Sequence, residues 1–475
     1  MNTAPSLEPR QARSMLVVLF AAAFVATYNE NIINMALVSL MEELRVDAVT
    51  SQWLVSGYMV VSTLLVVVTS FLFRRVRLRP LFFFATGMLT VSSLLAFFAP
   101  TFPLLLALRL LQALGAGILI PAMMNSILLV APRQKLGTYM AVGACMITFG
   151  PALAPVLSGV MVTMLGWRFV FVPVVVGSAA VLAAGAALVR NANPVERLQA
   201  DPASVAMAAA GLFALVYGMS VLTTQTALGV AGLAVAAALI ALFAVRQVRE
   251  KASGREPLLD LTPMRSASFF PACFLVMICM MCTFSSSVLL PLFYEGAIGM
   301  SSMAAGMLLL VPVLVNAVVG LFAGRIEDTH GEWPLLPAGI AVCALGMAIE
   351  TAFGPALAVP GVLAGSVLVF GGVGAVMSPS QTAGLKTLPR ELNTAGVSLL
   401  NVFIQVAACV APSLFIGVMS GTQAALTAEL GASAAGGAGL SRATLIACAL
   451  ALVGFVLAFV YARSLRRKAG RRVTD

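Results

Sequence analysis

The chain is predicted to be an all-α integral membrane protein, and three observations predict it. Its composition is 61% hydrophobic and only 10% charged, against about 45 to 50% apolar and about 25% charged in an average soluble domain. The apolar residues gather into fourteen stretches that each approach or exceed the roughly 20 residues a helix needs to cross a bilayer. The basic residues gather in every second loop, and so on one side of the array, as the positive-inside rule requires. Lipid offers no partner for backbone N–H and C=O groups, and the stretches are too long and too continuously apolar for barrel strands, so helices remain.

Charges, prolines and polar clusters delimit the elements in order. Span one, 14–40, begins after Arg13 and stops before Glu42; span two, 52–73, stops at Arg74. Span three, 80–99, lies between Pro80 and Pro100, and span four, 102–130, stops before Pro132 and Arg133. Span five, 136–164, follows Lys135 and ends at Gly166; span six, 168–189, ends at Arg190. Spans seven and eight, 203–223 and 226–245, meet at Thr224-Gln225, and Arg246 closes the second. Span nine, 269–294, ends at Glu295, and span ten, 302–324, at Arg325. Spans eleven and twelve, 334–354 and 357–380, are divided by Pro355; spans thirteen and fourteen, 392–419 and 443–462, start after Glu391 and Arg442.

Of the 28 Lys and Arg residues, all but Arg45, Arg109, Arg168 and Arg442 fall on one side of this array. Gaining or losing a span would destroy that pattern, so it tests the count and places both termini in the cytoplasm. The net charge of +10 sits in short loops beside spans, where anionic lipid is the expected neighbour, and no basic domain exists to bind nucleic acid. All seven Cys fall within spans, without the His or paired Cys of a metal site, and read as small packing residues. The first apolar run is too long for a cleavable signal.

The long polar stretch from Arg246 to Ser268 divides eight spans from six. Two loops suggest a repeat: Ser70 through Arg74 and Arg77 to Pro80-Leu81 after span two, and Gly324 through Asp328 and Gly331 to Pro334-Leu335 after span ten. If they are equivalent, two six-span units flank an inserted pair, and parallel six-span repeats are one way to build a transporter. The expected domains are therefore a six-helix bundle over 1–199, an inserted hairpin over 200–246, a cytoplasmic linker over 247–268 and a second bundle over 269–475.

Within span one stands Glu30. A carboxylate at membrane depth is costly and by default faces a partner or a water-filled path, which makes transport the first hypothesis. Glu30 lies roughly 13 Å from the outer end of its span and Arg109 roughly 11 Å from that of span four, at 1.5 Å per residue, so the two can meet. Contact favours the carboxylate and loss of contact favours the acid, so a cavity that makes and breaks the pair would bind and release a proton. The alternative is a fixed structural ion pair. Asn34 is one turn beyond Glu30, with Asn31 flanking it, and Gln112 faces as Arg109 does. Asn401 and Gln405 form a same-face pair in span thirteen. These amides, with Tyr58, Asn125 and Asn316, are candidates to line a substrate cavity or to bond helices together. Glu295 and Glu350 fall near outer span ends and are expected at the solvated rim.

Five segments resemble the major facilitator superfamily, in its fourteen-span drug:proton antiporter branch. They are Tyr28-Asn-Glu30-Asn-Ile-Ile-Asn34, Ser51-Gln-Trp53-Leu-Val-Ser-Gly-Tyr58, Arg109-Leu-Leu-Gln112-Ala-Leu-Gly115-Ala-Gly117-Ile-Leu-Ile-Pro121, Gly150-Pro151-Ala-Leu-Ala154-Pro155-Val-Leu-Ser-Gly159, and Gly324-Arg325-Ile-Glu-Asp328-Thr-His-Gly331. The resemblance implies two bundles around one cavity beside spans one and four, and conformational roles for Gly115, Gly150, Pro151, Pro155, Gly159, Gly324, Asp328 and Gly331. It also implies efflux of an amphiphilic small molecule or drug in exchange for protons, by rocking of the halves. Asn29 stands where that family usually has Asp, displacing the acid by about 100° around the helix. The first loop has Ser70, Arg74 and Arg77 where Gly, Asp and Gly are usual.

No phosphate-cradling Gly-x-x-x-x-Gly-Lys run occurs, so a proton gradient rather than a cofactor is the expected energy source. A transporter of an anionic metabolite, lipid or peptide, with Arg109 as anion ligand, is the alternative. A membrane-embedded enzyme would need a nucleophile, base or metal constellation, and the lone loop histidine His330 supplies none. The partners expected are a small-molecule substrate, protons and the bilayer, with a periplasmic adaptor left open. The Arg-rich, Lys-poor balance hints at a bacterial cytoplasmic membrane.

Overall fold

A computed structural model describes residues 8–131, 136–191, 201–222, 225–255, 257–331 and 333–474. Among the described residues fourteen long helices run in order: α1 Pro9–Asn31, α2 Trp53–Arg75, α3 Leu78–Phe97, α4 Phe102–Val130, α5 Leu136–Leu165, α6 Val172–Leu188, α7 Pro202–Val221, α8 Thr226–Ala252, α9 Phe269–Pro291, α10 Ser302–His330, α11 Leu335–Phe353, α12 Val359–Lys386, α13 Asn393–Leu430 and α14 Ala432–Thr474. Among the described residues thirteen segments are long and apolar enough to cross a membrane, and Phe149–Leu165 of α5 is apolar over a shorter length. The described residues contain no β-strand.

Contacts divide the chain into two compact units, Met1–Phe213 with Ala238–Phe243, and Ala214–Ala237 with Ala244–Asp475. The first unit packs α1 on α4, α5 and α6, α4 on α2 and α3, and α3 on α6. The second packs α9 on α12, α13 and α14, α12 on α10 and α11, and α11 on α14. Adding eight to each helix number of the first set reproduces the second, so the repeat suggested by two loops extends to these six helix pairings, and α13 packs on α14 in addition. The expected hairpin, α7 and α8, contributes residues to both units.

Several elements differ from their sequence boundaries for identifiable reasons. The segment from Gly324 to His330, expected to be a loop, is the end of α10. Polarity there marks the end of the apolar run without breaking the helix, which stops at Gly331, in the left-handed region at φ 76°. Similarly α8 runs to Ala252, into the expected linker. The segment after it is tethered back: Gln247 accepts from the Leu259 N–H at 3.2 Å, and Lys251 pairs with Asp260 at 2.6 Å. α9 ends at Pro291, whose missing N–H removes a ladder bond, and a π-helical turn, Leu292–Ala297, follows.

Candidate functional site

The site begins where α1 stops. The α-helix ends at Asn31, a 3-10 turn spans Asn34–Ala36, and helix resumes over Leu37–Leu44. Three amides and two β-branched residues explain the break, since Asn side chains compete for backbone partners and β-branching crowds the preceding turn. Asn31 Nδ2 bonds the Thr27 carbonyl at 3.3 Å. Residues Ile32 to Ala36 are all buried, and non-helical backbone at membrane depth is tolerated only inside protein or beside a cavity.

Arg109 is the largest fully buried side chain of the unit, at 0% exposure on α4. Its Nη1 donates to the Asn29 carbonyl at 3.1 Å, to Asn29 Oδ1 at 3.4 Å and to Gln112 Oε1 at 2.8 Å. Its Nε donates to the Leu54 carbonyl on α2 at 3.3 Å, and its Cζ stands 4.3 Å from the Tyr58 ring centroid. Asn29 Nδ2 in turn donates to Tyr58 Oη at 3.3 Å. Neutral oxygens and a π face thus hold the cation, and a desolvated cation gains most from such a face. The shell is incomplete: Arg109 Nη2 and Gln112 Nε2 are buried without hydrogen-bond partners, as is the Tyr28 hydroxyl. Orphaned donors of this kind mark a place for water or a ligand.

Glu30 is half-buried beside this cluster, and no hydrogen bond or ion pair joins it to Arg109 among the described residues. The contact expected of Glu30 is made by Asn29. A step of one residue rotates a helical side chain by about 100°, so Asn29 and Glu30 leave α1 in different directions, and Asn29 is the one that bonds Arg109 on α4. Arg109 remains the cationic group whose field reaches Glu30.

The structure brings Glu30, Tyr58, Arg109 and Gln112 into one region and leaves the remaining candidates apart. Asn34 is buried with Oδ1 unpartnered, but the break at Asn31 removes the continuous helix face on which its pairing with Glu30 depended. Asn125 bonds the Pro121 carbonyl of its own helix at 2.9 Å. Asn316 bonds the Phe370 carbonyl at 2.8 Å, tying α10 to α12. On α13, Asn401 is exposed and Gln405 half-buried. Asn29 itself was missed as a ligand; its place at the family's usual acid was the available signal.

The conformational candidates divide similarly. A Cβ on Gly150 would lie 2.1 Å from Thr27 Oγ1 and 2.6 Å from the Tyr28 nitrogen, so α5 meets α1 one residue before Asn29. A Cβ on Gly115 would lie 2.4 Å from the Ala85 carbonyl, setting α4 against α3. Pro151 and Pro155 lie within α5, each removing a ladder bond, and Gly159 is buried. Gly324 faces open space within α10 and Gly331 ends that helix. Asp328 belongs to α10, and its side chain lies outside the described residues. Glu350, expected at the rim, is fully buried, whereas Glu295 is half-buried and accepts from Ser302 at 2.5 Å.

Comparison with known proteins matches residues 19–412 to the Major Facilitator Superfamily. The chain is 28% identical to the lincomycin resistance protein LmrB of Bacillus subtilis (strain 168), covering 97% of this chain and 98% of that protein. It is 26% identical to the multidrug resistance protein B homolog of Mycobacterium tuberculosis (strain ATCC 25618 / H37Rv), over 76% of this chain and 68% of that one. Among solved structures, it superposes on a bacterial homolog of the human lysosomal transporter Spinster with TM-score 0.71 at 12% identity, covering 97% and 99% of the two chains. A D-xylose-proton symporter gives TM-score 0.60 at 15% identity, with 92% and 97% covered. At such identities the structural likeness concerns the fold.

Proposed function

The chain belongs to the Major Facilitator Superfamily, and from that premise we propose that it exports amphiphilic small molecules or drugs across the bacterial cytoplasmic membrane in exchange for protons, by alternating access. It is a multi-pass membrane transporter rather than an enzyme. The resistance proteins among its relatives support drugs as the substrate class. The carrying observation is the broken first helix, with half-buried Glu30 one residue from Asn29, the residue that binds fully buried Arg109.

In this reading Glu30 carries the proton and Arg109 biases its release. The resting site holds Arg109 on Asn29, Gln112 and Tyr58, and transient approach of the guanidinium to Glu30 favours the carboxylate. Withdrawal favours reprotonation. Energy comes from the proton gradient, and both termini are cytoplasmic, as the basic loops require.

One observation favours a second reading, in which Arg109 binds an anionic substrate: its Nη2 is buried and unpartnered, with no carboxylate bonded to it. Reconstitution in liposomes with an internal pH dye separates the two, with lincomycin as the first probe in a screen of drugs. Substrate-dependent proton movement that disappears in Glu30→Gln supports antiport. Transport that survives Glu30→Gln and fails only when Arg109 is altered supports the anion reading, and an active substrate that moves no protons removes the antiporter claim.

A further inference from the structure

The second unit contains a buried acid that the Arg109 site does not use. Glu350 stands three residues from the end of α11, at 0% exposure. Ser286 of α9 donates its single hydroxyl proton toward both carboxylate oxygens, at 3.2 and 3.3 Å. No Lys or Arg pairs with Glu350 among the described residues. Arg442 of α14 is exposed.

Its other neighbours are neutral. Gly365 of α12 backs the side chain so closely that a Cβ there would lie 2.8 Å from Glu350 Cγ. Among the described residues, Tyr294, in the π-helical turn after α9, and Cys343, two turns earlier on α11, are titratable groups near Glu350. The Tyr294 hydroxyl is buried without a hydrogen-bond partner. Cys279 and Cys282 of α9 lie beside Cys343, and Cys448 of α14 donates to the Ala344 carbonyl at 3.5 Å. Among the described residues, no charged group pairs with Glu350.

One hydroxyl cannot satisfy an ionised carboxylate, which offers about four lone-pair positions, and an isolated buried carboxylate is among the costliest groups a protein interior can hold. A carboxylic acid fits these surroundings: it has fewer acceptor sites to fill and one O–H to give. An acid without a cation in a membrane span is by default a functional group rather than packing. The glycine seam explains its position, since Gly365 lets α12 approach until the carboxyl is closed against Ser286.

We propose that Glu350 is a second proton-binding site, which takes up and releases a proton in the unit that does not contain Glu30. The step forms an O–H bond on the carboxylate on uptake and returns that proton to water on release. The Ser286 hydroxyl stays hydrogen-bonded to the carboxyl throughout. The inference extends the proton-coupled reading above, but proton occupancy is measurable without transport, so the two can fail separately.

The test is infrared spectroscopy of the full-length protein in lipid nanodiscs, titrated with alkali without substrate. The wild type is expected to show a protonated-carboxyl C=O band at neutral pH that disappears as pH rises. Glu30→Gln, which removes the other proposed proton carrier, should leave a band, and adding Glu350→Gln to it should remove that band. Ser286→Ala keeps the acid but takes away its hydrogen bond, so it should move the band to higher frequency, which covers the case in which Glu350→Gln fails to fold. A band unaffected by Glu350→Gln and by Ser286→Ala overturns the proposal. So does one that persists until the protein unfolds, because an acid that never ionises cannot take up and release a proton.

Discussion

Gly150→Ala tests whether helix packing sets the geometry of the Arg109 site. The added Cβ would lie 2.6 Å from the Tyr28 nitrogen and 2.1 Å from Thr27 Oγ1, where Cβ contacts below 3.0 Å essentially never occur. The Thr27 hydroxyl can turn aside, giving up its bonds to the Ala23 and Phe24 carbonyls, but the backbone cannot. Helices α1 and α5 must then shift relative to each other, which displaces Asn29, and the 3.1 Å bond from Arg109 to the Asn29 carbonyl can lengthen by only about 0.4 Å before the roughly 3.5 Å limit of a useful hydrogen bond. Overpacking of this kind costs about 1–3 kcal/mol, partly offset by the roughly 0.5–1 kcal/mol that Ala gains over Gly in a helix. The balance is a net loss.

The assay is thermal unfolding of purified protein together with proton-coupled transport in liposomes. Gly150→Ala should melt earlier and transport more slowly, and adding Thr27→Ala should recover only part of the loss. Gly324→Ala, at a position with nothing within 4 Å, is the control and should be neutral or slightly stabilising. If Gly150→Ala matched the wild type in both readouts, close approach of α5 would not be what holds Asn29 on Arg109.

Other outcomes follow from the same geometry. In a Glu30→Gln background, Asn29→Asp should recover a measurable part of proton coupling, because it places a carboxylate where Arg109 already binds; no recovery in the pH-dye assay would mean that the acid must stand at position 30. Arg109→Lys should reduce transport at least tenfold without abolishing expression, since a point charge cannot reproduce a fork that bonds Asn29, Gln112 and Leu54 together; wild-type rates would refute this. At Asp260, outside the spans, partial burial opposes ionisation, but the Lys251 ammonium and two bonds from Thr262 outweigh it and hold the carboxyl below its ordinary range. A depressed carboxyl contributes stability that is present above its unfolded pKa of about 3.9 and lost as pH falls through the folded value. The tether after α8 should therefore become protease-sensitive in acid, while Asp260→Asn should already be sensitive at neutral pH.

Much of the fold was legible because bilayer thickness acts on sequence directly. Run length and loop charge located fourteen spans, and the two similar loops pointed to a repeat that the helix pairings extend. Boundaries were less legible wherever polarity and helix breaking part company, as at Arg325, where charge ends the apolar run but only Gly331 ends the helix. The candidate site was legible by residue type: Glu30, Arg109, Gln112 and Tyr58 do fall in one region. Their pairing was not, because depth along a helix carries no information about azimuth.

The sequence by itself determined the membrane class, the span order and the presence of two unusual intramembrane charges, since each follows from local composition measured against the cost of placing polar groups in lipid. Only the tertiary structure decided that Asn29 rather than Glu30 meets Arg109, that α1 breaks at the site, and that Glu350 is enclosed rather than solvated. Those outcomes depend on which side of a helix faces which neighbour. That is set by close contacts such as Gly150 on Thr27 and Gly365 on Glu350, between residues far apart in the chain.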